Sequence, residues 1–121
     1  MAMSLDVGPE RVELAPAAAL FRSLADPTRL SIVRRLTAGP ARVIDLVAAL
    51  GLAQSTVSEH LACLRECRLV ESEPVGRASV FRIAEPALVE LLLAAETVLA
   101  ATGNAVDLCP NYGRSIVKRD L

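Results

Sequence analysis

Aromatic residues are nearly absent from this chain of 121 residues, with one Tyr, two Phe and no Trp, 2% in all. Packing must therefore rest on Leu, Val, Ile and Ala, which suits helices in close contact, and a 53% apolar composition is ample for one compact domain. A single His at position 60, no glycine-rich phosphate loop and no paired carboxylates near a nucleophile together argue against an enzyme. No apolar run is long and charge-free enough to span a bilayer, and the N-terminus lacks the basic-then-apolar order of a signal peptide. A cytoplasmic protein is expected.

An excess of base is also missing, since the net charge is −1. The distribution matters more than the sum. Residues 21–82 carry nine Arg against six acids, while residues 83–107 hold four acids and no base. Nucleic-acid binding needs cationic charge where the phosphates lie, not overall, so the central stretch is compatible with a DNA partner. The acidic stretch would face away from it.

Three cysteines are too few and too odd in number for a disulfide framework, and in a reducing compartment they read as free thiols or metal ligands. Cys63 and Cys67 stand four apart, which on a helix puts both sulfurs on one face, within reach of one soft ion. Cys109, in an irregular tail, can supply a third.

The chain reads as mainly α with a small β-hairpin, in the order α-α-α-α-β-β-α. Residues 1–15 are expected to be a flexible N-terminal segment, 16–103 a DNA-binding and dimerisation domain, and 104–121 a tail carrying a ligand cysteine. A first short helix is expected over 17–23, with Pro16 in its first turn. Asp26-Pro27 starts a second, Asp as N-cap and Pro at the first helical position, and Gly39-Pro40 ends it. A third runs over 43–50, stopped by Gly51, and a fourth over 54–68. This spacing is that of a helix-turn-helix. Two strands over 69–73 and 79–83, separated by a Pro/Gly loop, form a hairpin or wing. Glu85-Pro86 opens a last helix to about position 101 that is apolar nearly all round. A homodimer interface through Leu91, Leu92 and Val98 is the simplest explanation.

On the fourth helix, Val57, Leu61 and Leu64 share one stripe, which must pack inward. Ser55, Ser58, Ala62 and Arg65 fall away from it. Gln54, Ser55, Thr56, Ser58 and Arg65 are thus candidates to read bases or grip phosphates, and Arg77 at the wing tip is a candidate phosphate or minor-groove contact. The plainer alternative is a solvated amphipathic face, which the adjoining turn and wing disfavour. His60, near the edge of the stripe, suits packing or capping better than metal ligation.

Ala25-Asp26-Pro27-Thr28-Arg29-Leu30, then Gln54-Ser55-Thr56-Val57-Ser58-Glu59-His60-Leu61, then Gly76-Arg77, resemble the ArsR/SmtB family of winged helix-turn-helix metalloregulators over residues 16–103. The resemblance implies a homodimeric repressor that holds a palindromic operator and releases it when an inducer binds. Some members carry a Cys-rich box in the third helix, and Val43-Ile44-Asp45-Leu46-Val47 has none. Others build a zinc site of Asp, His and Glu on the last helix, where this chain has no His. The pair Cys63 and Cys67 with Cys109 is similar to the CmtR-type cadmium/lead sensors, in which two thiolates of the reading helix are joined by one from the C-terminal region. Cys109 matches that branch by its role, not by an alignable motif.

Three thiolates form a soft site with too few ligands for closed tetrahedral zinc, and they suit cadmium(II), lead(II) or arsenite. Two other readings use the same residues. Cys63 and Cys67 are also compatible with small core hydrophobes, and either of them paired with Cys109 would make a metal-free thiol redox sensor.

Overall fold

The computed structural model describes residues 8–110. Helix α1 (Pro9–Leu24) begins earlier than expected, so the anticipated division between 15 and 16 falls inside it. Pro9 and Glu10 supply the start, a proline in the first turn followed by an acid at the positive end of the helix dipole. Pro16 lies in the interior instead. The carbonyl of Val12 that it leaves without an N–H partner is on an exposed stretch, where water can satisfy it.

Helix α2 (Pro27–Leu36) starts as the sequence predicts: the Asp26 carboxylate accepts the Arg29 backbone N–H at 2.9 Å, and Pro27 opens the helix. A two-residue strand, β1 (Ala41–Arg42), follows and leads directly into α3 (Val43–Leu50). Asp45 secures that start by accepting the Arg42 backbone N–H at 2.9 Å and two guanidinium N–H groups. The Arg42 side chain is the main reason the Asp45 carboxyl is held down at about 2. Gly51 ends α3 in the left-handed region at φ 67°, and α4 (Gln54–Glu66) begins three residues later.

The fourth helix stops two residues short of the expected 68 because the chain turns left-handed at Arg68, φ 63°. Leu69 N–H then reaches back to the Leu64 carbonyl at 3.0 Å, the long bond of a Schellman ending. A side chain with a Cβ is strained there. Arg68→Gly is expected to raise stability by about 1 kcal/mol, read as a higher urea midpoint at unchanged slope. No gain would mean that the arginine makes a compensating contact.

Strands β2 (Val70–Val75) and β3 (Ala78–Ile83) are longer than expected, and the loop between them is a two-residue turn, not five residues. Gly76 at φ 64°, followed by Arg77 with negative φ, matches a type II′ turn, which places Arg77 at the tip. Pro74 is tolerated inside β2 because β2 is an edge strand in the order β1-β3-β2. The hairpin is thus part of a three-stranded sheet, with Ala41 opposite Phe81. The sheet and α2, α3 and α4 enclose one core, in which Val57, Leu61 and Leu64 are at most 1% exposed, the stripe that helical spacing predicts.

Helix α5 (Pro86–Ala101) contributes Leu88, Val89 and Leu92 to that same core. Leu92 therefore belongs to the protomer's own interior, a correction to its expected place at a dimer interface. Leu91 is half-buried and Val98 is 61% exposed, so these two remain available to a partner. The helix looks apolar all round because it must cover its own core and still presents apolar side chains outward.

Candidate nucleic-acid interface and metal centre

Helix α4 carries the DNA candidates. Gln54, Ser55 and Ser58 are exposed and Thr56 is half-buried, all in the first two turns. No side chain caps this helix start, so the first backbone N–H groups of α4 point outward beside those side chains. An uncapped N-terminus combines donors with the positive end of the helix dipole, an arrangement suited to phosphate. Arg65, at the other end, donates to Ser72 Oγ at 3.2 Å and ties α4 to β2 of the hairpin. Its guanidinium is therefore shared between a structural contact and any DNA contact. Arg77 is exposed at the turn.

The back of α4 is held by a polar junction. Arg29 Nε donates to the Ser23 carbonyl at 2.7 Å, and its Nη1 lies 3.4 Å from His60 Nδ1. His60 Nε2 is 4.0 Å from Asp26. The Asp26 carboxyl is held below its ordinary value, chiefly by the Arg29 backbone N–H it accepts. His60 is thus a packing histidine between α2 and α4, as its position on the stripe's edge implies. Asp26 and Arg29, at the start of α2, thus both meet α4 at His60.

The thiols divide into two places. Cys63 is half-buried and Cys67, at the C-terminal end of α4, is exposed. Cys67 N–H donates to the Cys63 carbonyl at 3.1 Å, so one helical turn separates the pair. The Cys67 sulfur lies 3.0 Å from the Ser23 hydroxyl at the end of α1. Cys109 is buried against the core at 5% exposure. Its backbone N–H and that of Leu108 both donate to one Glu96 carboxylate oxygen, at 2.8 and 2.6 Å, and Arg34 donates to the Asp107 carbonyl at 2.9 Å. The tail is thereby pinned to α5 and α2.

Among the described residues no three His, Cys, Asp or Glu side chains converge on one point. Cys63 and Cys67 fit a soft ion as two thiol donors on one helix face, and Cys109 of the same chain does not complete the set in this conformation. Ser23, Arg29 and Glu96 were not singled out from sequence. Asp26-Pro27-Thr28-Arg29 could have suggested Arg29, whereas Ser23 and Glu96 gain their partners only through folding.

No helix among the described residues is long and apolar enough to cross a membrane. The family model "Bacterial regulatory protein, arsR family" matches residues 26–72. The HTH-type transcriptional regulator CmtR of Mycobacterium tuberculosis is 39% identical, over 75% of this chain and 88% of that protein. A probable mercury resistance operon repressor of Streptomyces lividans is 33% identical, over 76% of this chain and 74% of that one. The solution structure of a homodimeric winged helix-turn-helix DNA-binding domain from Mycobacterium bovis covers 78% of this chain and 88% of its own, at 26% identity and a TM-score of 0.70.

Proposed function

The chain belongs to the ArsR family of bacterial regulatory proteins, DNA-binding transcription regulators and not enzymes, and on that premise we propose a repressor that a soft metal ion removes from its operator. The observation that carries this reading is the thiol pair, Cys63 and Cys67, one turn apart on the helix whose opposite end carries the proposed DNA contacts Gln54, Ser55, Thr56 and Ser58. A ligand held by that pair acts on the reading helix directly. Similarity to a CmtR regulator and to a mercury operon repressor supports a thiophilic inducer. Cadmium(II) or lead(II) is the proposed ion, and arsenite is the alternative that the same three thiolates accept.

Cys109 is the proposed third ligand. Pinned by Glu96 and buried, it reaches the pair either from the partner protomer or after the tail leaves its seat on α5. Both routes link metal binding to a rearrangement outside α4. The test is titration of the reduced, operator-bound protein with cadmium or lead. A thiolate-to-metal charge-transfer band that rises together with operator release supports the reading. Release only on oxidation, without metal, would favour a thiol redox sensor.

Operator binding is proposed to require a homodimer on a palindromic site, built through α1 and α5. Leu14 and Phe21 of α1 stand seven residues apart and are 56% and 57% exposed, and Leu91 and Val98 of α5 repeat that spacing. Apolar side chains on two helices call for a cover. Val98→Glu is expected to give folded monomers that lose operator binding. Leu92→Glu, which puts a charge into the protomer core, should instead unfold the chain, a loss of about 4 kcal/mol or more. Sedimentation and thermal melting separate the two outcomes, and a Val98→Glu dimer of wild-type strength would place the interface elsewhere.

A further inference from the structure

We propose that Ser23 is a positioning residue for the Cys67 sulfur, a hydroxyl that turns its hydrogen from the Ala19 carbonyl to the sulfur when that sulfur takes a metal ion. This rests on the reading of Cys67 as a thiolate ligand.

Ser23 sits in the last turn of α1 and is 7% exposed, in a helix whose preceding residues face solvent almost throughout. Its Oγ donates to the Ala19 carbonyl at 2.9 Å, an ordinary habit of serine in helices that by itself implies no function. The second contact is different in kind. Cys67 arrives from the far end of α4, 44 residues along the chain, with its sulfur 3.0 Å from the same oxygen.

A hydroxyl has one hydrogen to give. With that hydrogen on the Ala19 carbonyl, the Ser23 oxygen can only accept at the sulfur, so the thiol S–H is the donor. When Cys67 becomes a ligand, its S–H bond breaks, the proton leaves to water, and the electron pair goes to the metal. No hydrogen then lies between sulfur and oxygen, and two lone-pair atoms face each other at 3.0 Å. Rotation of the Ser23 hydroxyl relieves this by donating to the sulfur, a charge-assisted bond of roughly twice the ordinary strength. The Ala19 carbonyl gives up only its second partner, since it remains within the backbone ladder of α1.

The consequence reaches beyond the sulfur. The Ser23 carbonyl is held by Arg29 Nε at 2.7 Å, and Arg29 also touches His60 on α4. Ser23 thus joins the C-terminal end of α4, through Cys67, to the junction that seats the same helix on α2. Occupancy of the thiols is felt at the end of α1 as well as along α4.

The experiment uses the reduced full-length protein and cadmium(II) as the probe. A hydrogen bond lowers the energy of a thiolate's lone pairs, so Ser23→Ala should move the sulfur-to-cadmium charge-transfer band to longer wavelength. Cadmium affinity should fall roughly 10–100-fold, the usual cost of removing an outer-shell partner. Ser23→Thr should restore both. Should the alanine variant fold poorly, the equally branched pair Ser23→Thr and Ser23→Val isolates the hydroxyl at nearly constant shape. In a Cys67→Ala background, Ser23→Ala should have no further effect on affinity. A purely structural serine would alter melting without moving the band. An unmoved band and unchanged affinity in Ser23→Ala, beside a wild-type protein that binds cadmium, would overturn the role of Ser23 alone. A wild-type protein with no charge-transfer band would overturn the thiolate site and this inference together.

Discussion

Cys63→Ser and Cys67→Ser are each expected to bind operator within a few-fold of wild type and to keep binding it when cadmium or lead is added. Neither thiol supports the core: Cys67 is exposed and Cys63 half-buried, on the flank of the stripe formed by Val57, Leu61 and Leu64. Removal of one sulfur therefore leaves the proposed DNA face intact and takes away one of the two proposed ligands on α4. In the wild type, metal should weaken operator binding by ~1–3 kcal/mol or more, roughly 5–150-fold, and operator must weaken metal binding by the same factor. Cys109→Ser should behave differently. It should keep a weak two-thiolate site with little coupling, because the link between α4 and Cys109 is gone. Fluorescence anisotropy of labelled operator, with and without metal, measures all three variants. A Cys109→Ser protein that responds to cadmium and lead like wild type would confine the site to α4 and remove the tail from the mechanism.

The second large effect concerns the proposed DNA face of α4. Ser55→Glu or Ser58→Glu should reduce operator affinity by roughly 100-fold or more, because a carboxylate set against phosphates costs several kcal/mol. Both serines are exposed, so dimerisation and melting should stay near wild type. Arg77→Ala is the contrasting case. It should weaken all sequences about equally and lower the salt slope by about one phosphate contact. Wild-type operator affinity in either serine variant would mean that another helix enters the groove.

Much of this architecture was legible in the chain because its signals are local. Asp26-Pro27 marks the start of α2, Gly51 the end of α3, and the 3.6-residue spacing of Val57, Leu61 and Leu64 the buried side of α4. Each depends on residues within a turn or two, so sequence determines it. Tertiary structure decided the rest. Strand β1 has two residues and exists only because β3 lies beside it. Leu92 and Val98 are both apolar residues of one largely apolar helix, yet one lies inside the protomer and the other faces out. Only the packing of α5 against a particular core separates them. The three thiols show the same division. Spacing puts Cys63 and Cys67 on one helix face, whereas the seat of Cys109 on Glu96 and the contact of Ser23 with Cys67 join residues 13 and 44 positions apart. No periodicity encodes such pairs, because they form when separate elements meet.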